Sequence, residues 1–273
     1  MKQLLRRLFR RPDTVSVLRL EGVIGGAGGR FAGPALTDAA LAPLVEAAFR
    51  GKPKAVAIAL NSPGGSPAQS SLIAARIRRL ADEKDIPVHA FVEDVAASGG
   101  YWLATAADRI HLDANSIVGS IGVISAGFGF QELIARHGIE RRVHTAGEDK
   151  SMLDPFRPER AEDVARLKSL QALIHRNFIE QVTSRRGPLL KGENLFSGEF
   201  WVGQSAIDLG LADAVGHLAP TMKTLFGEKI RFRVIAPRRP LFRRLGLPGV
   251  SEALGLVEDN ALWARFGLRA PGC

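Results

Sequence analysis

Short apolar runs alternate with amphipathic helical segments through the first half of the chain, and this rhythm constrains the fold more than any other feature. Segment 14–24, TVSVLRLEGVI, reads as a strand. Residues 36–50 have helical spacing through Leu36, Ala40, Leu41, Leu44, Val45 and Ala48. KAVAIAL at 54–60 is a run of the buried-strand type, 67–83 returns to a helical period, and PVHAFV at 87–92 is a strand again. A further helix is predicted from Ala97 to Ala107, with short strands at 109–112, 117–124 and 140–144. The longest helical pattern covers 159–186, and 203–236 reads as helix, strand, helix, strand. Strands alternating with helices in this way indicate an α/β fold with a parallel sheet and crossover helices.

Charge divides the chain differently. The formal net charge is +9, yet residues 1–12 carry +5 and the stretch from Lys229 onward carries +6, so the body is left at −2. The expected organisation is therefore a basic N-terminal segment 1–12, a domain over 13–236, and a basic, loosely attached tail over 237–273. A nucleic-acid binder wears its charge on a folded face. Basic ends interleaved with Leu, Phe and Trp suit an anionic membrane surface instead, and no nucleic-acid partner is expected. No run approaches the roughly 20 apolar residues that span a bilayer, and the start MKQLLRRLFRR lacks the uninterrupted apolar core of a secretory signal. The expected location is the cytoplasm, with the ends available for peripheral attachment to the inner membrane. The single cysteine, Cys273, excludes a disulfide framework within the chain and any cysteine zinc site.

Three turns could carry chemistry. Asn61-Ser62-Pro63-Gly64-Gly65 follows the buried strand, where two glycines permit a sharp turn and an unscreened N–H, or simply a β-turn. Ser98, within Ala96-Ala97-Ser98-Gly99-Gly100-Tyr101, stands at a strand-to-helix junction. It is either an N-cap or a nucleophile cleared by small neighbours, with the Gly99 N–H beside it. Lys150 is the only lysine between residues 85 and 167, in a chain with 28 Arg against nine Lys. An arginine cannot give up its proton and a desolvated lysine can, so the position is either a base or a surface lysine in the 147–149 loop region. Among six histidines none has a nucleophile-elbow context, and His111 and His137 stay open as partners of Ser98. There is no phosphate-binding Gly-x-x-x-x-Gly-Lys-Ser/Thr loop and no His/Asp/Glu spacing suited to a metal, so neither cofactor nor metal is expected.

Taken together, NSPGGS at 61–66, DVAASGGYWLATAADRI at 94–110, SIVGSIGVI at 116–124, KSMLDPFRP at 150–158 and SGEFWVGQSAIDLGLAD at 197–213 resemble the signal peptide peptidase A family. That family includes SohB-like serine proteases and belongs to the Clp protease/crotonase superfamily. The resemblance implies stacked ββα units with a helical extension, and a Ser/Lys dyad. It makes Ser98 the nucleophile, Lys150 the general base, and Ser120 the hydroxyl that orients the lysine. The N–H groups of Gly65 and Gly99 become the oxyanion hole, and backbone near 118–124 and 63–66 would pair with substrate as an added strand. It also implies a homo-oligomer acting on signal-peptide remnants or other apolar, unfolded segments. Many members carry a membrane-spanning helix, for which this sequence offers only its basic ends. Two alternatives share the fold: a crotonase-type acyl-CoA enzyme, which Ser98, Ser120 and Lys150 fit poorly, and a non-catalytic membrane-associated scaffold.

Overall fold

A computed structural model of the chain describes residues 13–26, 36–236 and 259–270. The basic segment 1–12 and the larger part of the tail lie outside the described residues.

Strand β1 (Thr14–Glu21) is followed by α1 (Asp38–Ala48), β2 (Ala55–Ser62), α2 (Pro67–Lys84), β3 (Val88–Ala97) and the short α3 (Gly99–Ala104). Then come β4 (Arg109–Leu112), β5 (Ile117–Gly119), α4 (Gln131–Arg136) and the long α5 (Ala161–Arg186). The sequence closes with β6 (Phe200–Val202), α6 (Gln204–Asp208), β7 (Ala214–Val215), α7 (Leu218–Phe226), β8 (Arg231–Ile235) and a helical stretch at 259–264. Local chemistry explains the boundaries. Thr37 caps α1 by accepting from the Ala40 N–H, and Ser66 caps α2 by accepting from the Gln69 N–H, with Pro67 preset in the first turn.

The eight-stranded sheet runs β6-β5-β3-β2-β1-β8, with β4 pairing on β3 and β7 on β4. Every pairing is parallel except β5 with β6. Strand β3 forks. Its first half, His89–Val92, pairs with β4, and its second half, Val95–Ala97, pairs with β5. The β2–β3 register slips at the same level, between Leu60 and Ser62. A bulge of this kind bends the sheet and lets the strand ends aim away from its plane.

Period-two alternation in β3 feeds three packed clusters. Val88, Ala90, Val92 and Ala96 enter the main core with Leu18, Ile58, Ile77, Tyr101 and Phe178. Phe91 joins Val15, Val17, Met222 and Ile230 on the other face, and Val95 and Ala97 pack under Trp263 and Phe266.

Three sequence expectations are corrected. Residues 140–144 form no strand; Arg142 pairs with Glu140 and Arg141 with Asp154, and the stretch joins no described ladder. The strand expected over 117–124 stops at Gly119, because Gly119 (φ 107°) and Ser120 (φ 51°) leave extended backbone. The helix expected from Ala97 begins at Gly99, since Ala97 still belongs to β3. Within 259–270, Trp263, only 1% exposed, and Phe266 are buried. They share a buried cluster with Val95 and Ala97 of β3.

Candidate active site

The ends of β2, β3 and β5 converge on one small volume. Beyond β2 the chain turns through Gly64 (φ 108°) and Gly65 (φ 138°). The turn is clamped to β1's continuation, where Ile24 N–H donates to the Gly64 carbonyl (2.8 Å) and Ser66 N–H donates to the Ile24 carbonyl (2.7 Å). A Cβ on Gly65 would lie 2.1 Å from the Ile24 oxygen, and one on Gly64 would lie 2.8 Å from Ser98 Cβ. On the opposite side, a Cβ on Gly100 would come within 2.4 Å of the Ser62 carbonyl oxygen. Only glycine permits the loop and the start of α3 to touch in this way.

Ser98 sits between β3 and α3 at φ 52° and ψ −123°, a costly conformation for a residue with a side chain. Its N–H donates to the Gly119 carbonyl (2.8 Å), and its own carbonyl accepts the Trp102 N–H (3.0 Å), so both flanks are held. The hydroxyl is half-buried and does not cap α3, which disposes of the N-cap reading. Among the described residues Ser98 Oγ makes no hydrogen bond, and neither do the N–H groups of Gly65 and Gly99. The two amides are neighbours: a Cβ on Gly99 would stand 3.4 Å from Gly65 N. Helix α3 is anchored from behind by Tyr101, whose hydroxyl donates to the Leu211 carbonyl (2.8 Å) and whose phenol is pushed up by burial.

Ser120 belongs to the same place. The ladder pairs Ala97 with Gly119, which sets Ser98 and Ser120 at adjoining strand ends. Ser120 is 6% exposed, and its N–H donates to the Glu199 carbonyl (2.7 Å).

Lys150 is elsewhere. It lies in a 3-10 turn, Glu148–Ser151, on an arm over 123–160, and it is exposed. Among the described residues its amine has no hydrogen bond or ion pair, so the single chain does not join it to Ser98 or Ser120. The arm makes contacts of its own, including Phe130 on Phe156 and the Arg141–Asp154 pair, and it leaves Phe128 and Ile139 exposed.

Neither open histidine touches Ser98. His111 stacks on Phe91 at 4.7 Å and approaches His89 at 3.3 Å beside β4, where burial pushes its pKa down to about 4. His137 is exposed at the end of α4 on the arm.

Asn61 was missed by sequence reasoning. It is 5% exposed; its amide donates to Asp94 Oδ2 (2.7 Å), and its oxygen accepts the Val95 N–H (3.2 Å). It thereby fills the hydrogen-bond gap at the β2–β3 bulge and ties the glycine turn to the strand that carries Ser98. The available signal was an amide side chain ending an otherwise apolar strand.

Comparison with known proteins gives the family and the fold. Residues 81–228 match Peptidase family S49, and the chain belongs to that family. It is 33% identical to the chloroplastic serine protease SPPA of Arabidopsis thaliana over 76% of this chain and 31% of that protein. It is 48% identical to a protein named Na(+)/H(+) antiporter NhaA in Brucella melitensis, over 98% of this chain and 39% of that one. The chain thus spans less than half the length of these relatives. Among solved structures, a mutant of the 1510-N membrane-bound stomatin-specific protease aligns with a TM-score of 0.51 at 15% identity, covering 84% of this chain and 100% of that one, a likeness of fold. Homologues named SohB protease are also present, for example at 28% identity in Haemophilus influenzae. The chain is therefore a member of a serine-protease family with an α/β fold. Among the described residues, no helix is long and apolar enough to cross a membrane, and no group of three or more His, Cys, Asp or Glu could hold a metal.

Proposed function

We propose that the chain is a serine endopeptidase in which Ser98 is the nucleophile and Lys150 the general base. The observation that carries this reading is the strained, unbonded Ser98 hydroxyl beside the unpaired N–H groups of Gly65 and Gly99. Strain of this kind concentrates where a side chain must be presented rather than packed. The two amides suit a developing oxyanion, each such donor being worth about 3–4 kcal/mol in the transition state.

In the proposed reaction, Ser98 Oγ attacks the peptide carbonyl carbon as its proton passes to the Lys150 amine. The tetrahedral oxyanion rests on Gly65 and Gly99. When the C–N bond breaks, the lysine returns the proton to the leaving amine and an acyl ester remains on Ser98. Water, giving a proton to the same amine, attacks the ester and frees the serine. Ser120 orients the amine. Peptide hydrolysis is favoured over acyl-CoA chemistry by the family match.

The base must be neutral to accept a proton, and removal from water is what favours the neutral amine. The reaction therefore requires Lys150 to be covered, by inward movement of the arm or by a second copy of the chain. A homo-oligomer is supported by the exposed Ile124, Phe128, Leu133 and Ile139 of the arm together with Leu173 of α5. The substrates we infer are signal-peptide remnants or other apolar, unfolded segments. The basic ends hold the protein against an anionic membrane surface on its cytoplasmic side; flotation with anionic vesicles, with and without 1–12 and 237–258, tests that attachment. Ser98→Ala and Lys150→Ala should each lower cleavage of an unfolded carrier protein by at least about 1,000-fold with an unchanged circular dichroism spectrum. Ser120→Ala should cost less. Activity of Ser98→Ala near that of the parent would overturn the proposal.

A further inference from the structure

A cavity of about 700 Å³ opens between the first turn of α2 and the middle of α5. One wall begins at Ser66, the residue after Gly65, and Trp102 in the lining is one helical turn beyond Ser98. Trp102 is 7% exposed and stacks on Phe178 at 4.9 Å, so its ring is a fixed surface rather than a mobile lid. The opposite wall is α5, with Ile174, Asn177, Glu180 and Gln181.

Glu180 is the sole charged residue of this lining, and among the described residues it makes no hydrogen bond or ion pair. Gln181 has its amide nitrogen committed to Thr105 Oγ1 (3.1 Å), which leaves its carbonyl oxygen as an acceptor. The volume is within the range of side-chain and small-ligand sites. Apolar surface at Trp102 and Ile174 suits an aliphatic stem, while the carboxylate and amide oxygens suit a cation at its end.

From this arrangement we infer that the cavity receives the substrate side chain immediately before the scissile bond, and that it selects lysine or arginine there. The inference rests on the Ser98 reading. The carbonyl held by Gly65 and Gly99 belongs to the residue before the scissile bond, so that residue's side chain falls next to Ser66 and the first turn of α3. A basic residue within an otherwise apolar, unfolded segment is then the preferred cleavage point.

The test is a set of internally quenched peptides identical except for Lys, Arg, Leu or Glu at that position, assayed with the full chain alongside an unfolded carrier protein. The parent should cleave the Lys and Arg peptides with a kcat/KM about tenfold above that of the Leu peptide. In Glu180→Gln the Lys-to-Leu ratio should fall close to one, and in Glu180→Lys the Glu peptide should overtake the Lys peptide. Equal kcat/KM for Lys and Leu peptides in the parent, or an unchanged ratio in both variants, overturns the subsite assignment. If Ser98→Ala abolishes cleavage while the ratio is flat, only the subsite fails. If Ser98→Ala cleaves as the parent does, or the parent cleaves neither peptides nor carrier protein, the nucleophile assignment fails and the subsite with it.

Discussion

The turn at 62–66 and the arm at 123–160 hold the two halves of the proposed dyad and are built in opposite ways. Around Ser98, glycines let backbone approach backbone, so that a single added methyl would meet an oxygen at 2.1 Å. Around Lys150, Gly147 has a similar positive φ of 103°, yet a Cβ there would meet nothing within 4 Å. The nucleophile is over-determined by its surroundings, while the base rides on a segment whose contacts are mostly to itself. On the proposed reading, one half of the chemistry is preorganised within a single chain, and the other half waits for the arm to move inward or for a second copy to cover it.

Substitutions can break this contrast, and Gly65→Ala should do so most strongly. With φ at 138° and the Ile24 carbonyl in the way, it should cost about 3 kcal/mol or more by chemical denaturation and lower kcat at least about 100-fold. Next comes a pH limit on the packed body. The imidazole of His111 is held down to about 4 by burial first and by His89 second, against an ordinary 6.5. As pH falls, the unfolded chain takes up this proton before the folded one does. Stability present above about pH 6.5 is therefore lost progressively toward pH 4, by on the order of 3 kcal/mol. Denaturation midpoints across that window should slope accordingly, and His111→Phe should flatten the slope.

Asn61→Ala comes third. It strands the Val95 N–H inside the β2–β3 junction, at a cost of about 1–3 kcal/mol, and should lower kcat more than it changes KM. Smallest is Gly147→Ala in the arm, at about 1 kcal/mol, since only the left-handed backbone opposes it. If Gly147→Ala proved as damaging as Gly65→Ala, the arm would be as tightly framed as the turn and the contrast would vanish.

Legibility in the sequence followed the same division. Helices α1 and α2 were visible from apolar periodicity because each turns an apolar face to the core, and β4 as a short apolar run. The period of α5 was visible too, although only Phe178 and Val182 of its apolar residues are buried and Leu170 and Leu173 are exposed. The end of β5 was not visible, since the apolar run continues through Ile121, Val123 and Ile124 past Gly119 and Ser120, where the backbone leaves the extended region. Strand β6 exists only through antiparallel pairing with β5, a tertiary fact absent from three residues of local pattern. Helix α4 is short and buries no residue, so no apolar stripe announced it. Gly65, the adjacent Ser98 and Gly99, and Ser120 come from three separate stretches of the sequence, and the strand order gathers them; the motif resemblance groups them as well. That resemblance also grouped Lys150, which no periodicity could have placed.

The docking of Trp263 on Val95 and Ala97 has a consequence for biosynthesis. The strand that delivers Ser98 receives part of its apolar cover from residues translated more than 150 positions later. On the ribosome, a nascent chain can have the Ser98 loop fully emerged while the back of that strand still faces water, and its bracing waits for the helical stretch at 259–264 to arrive.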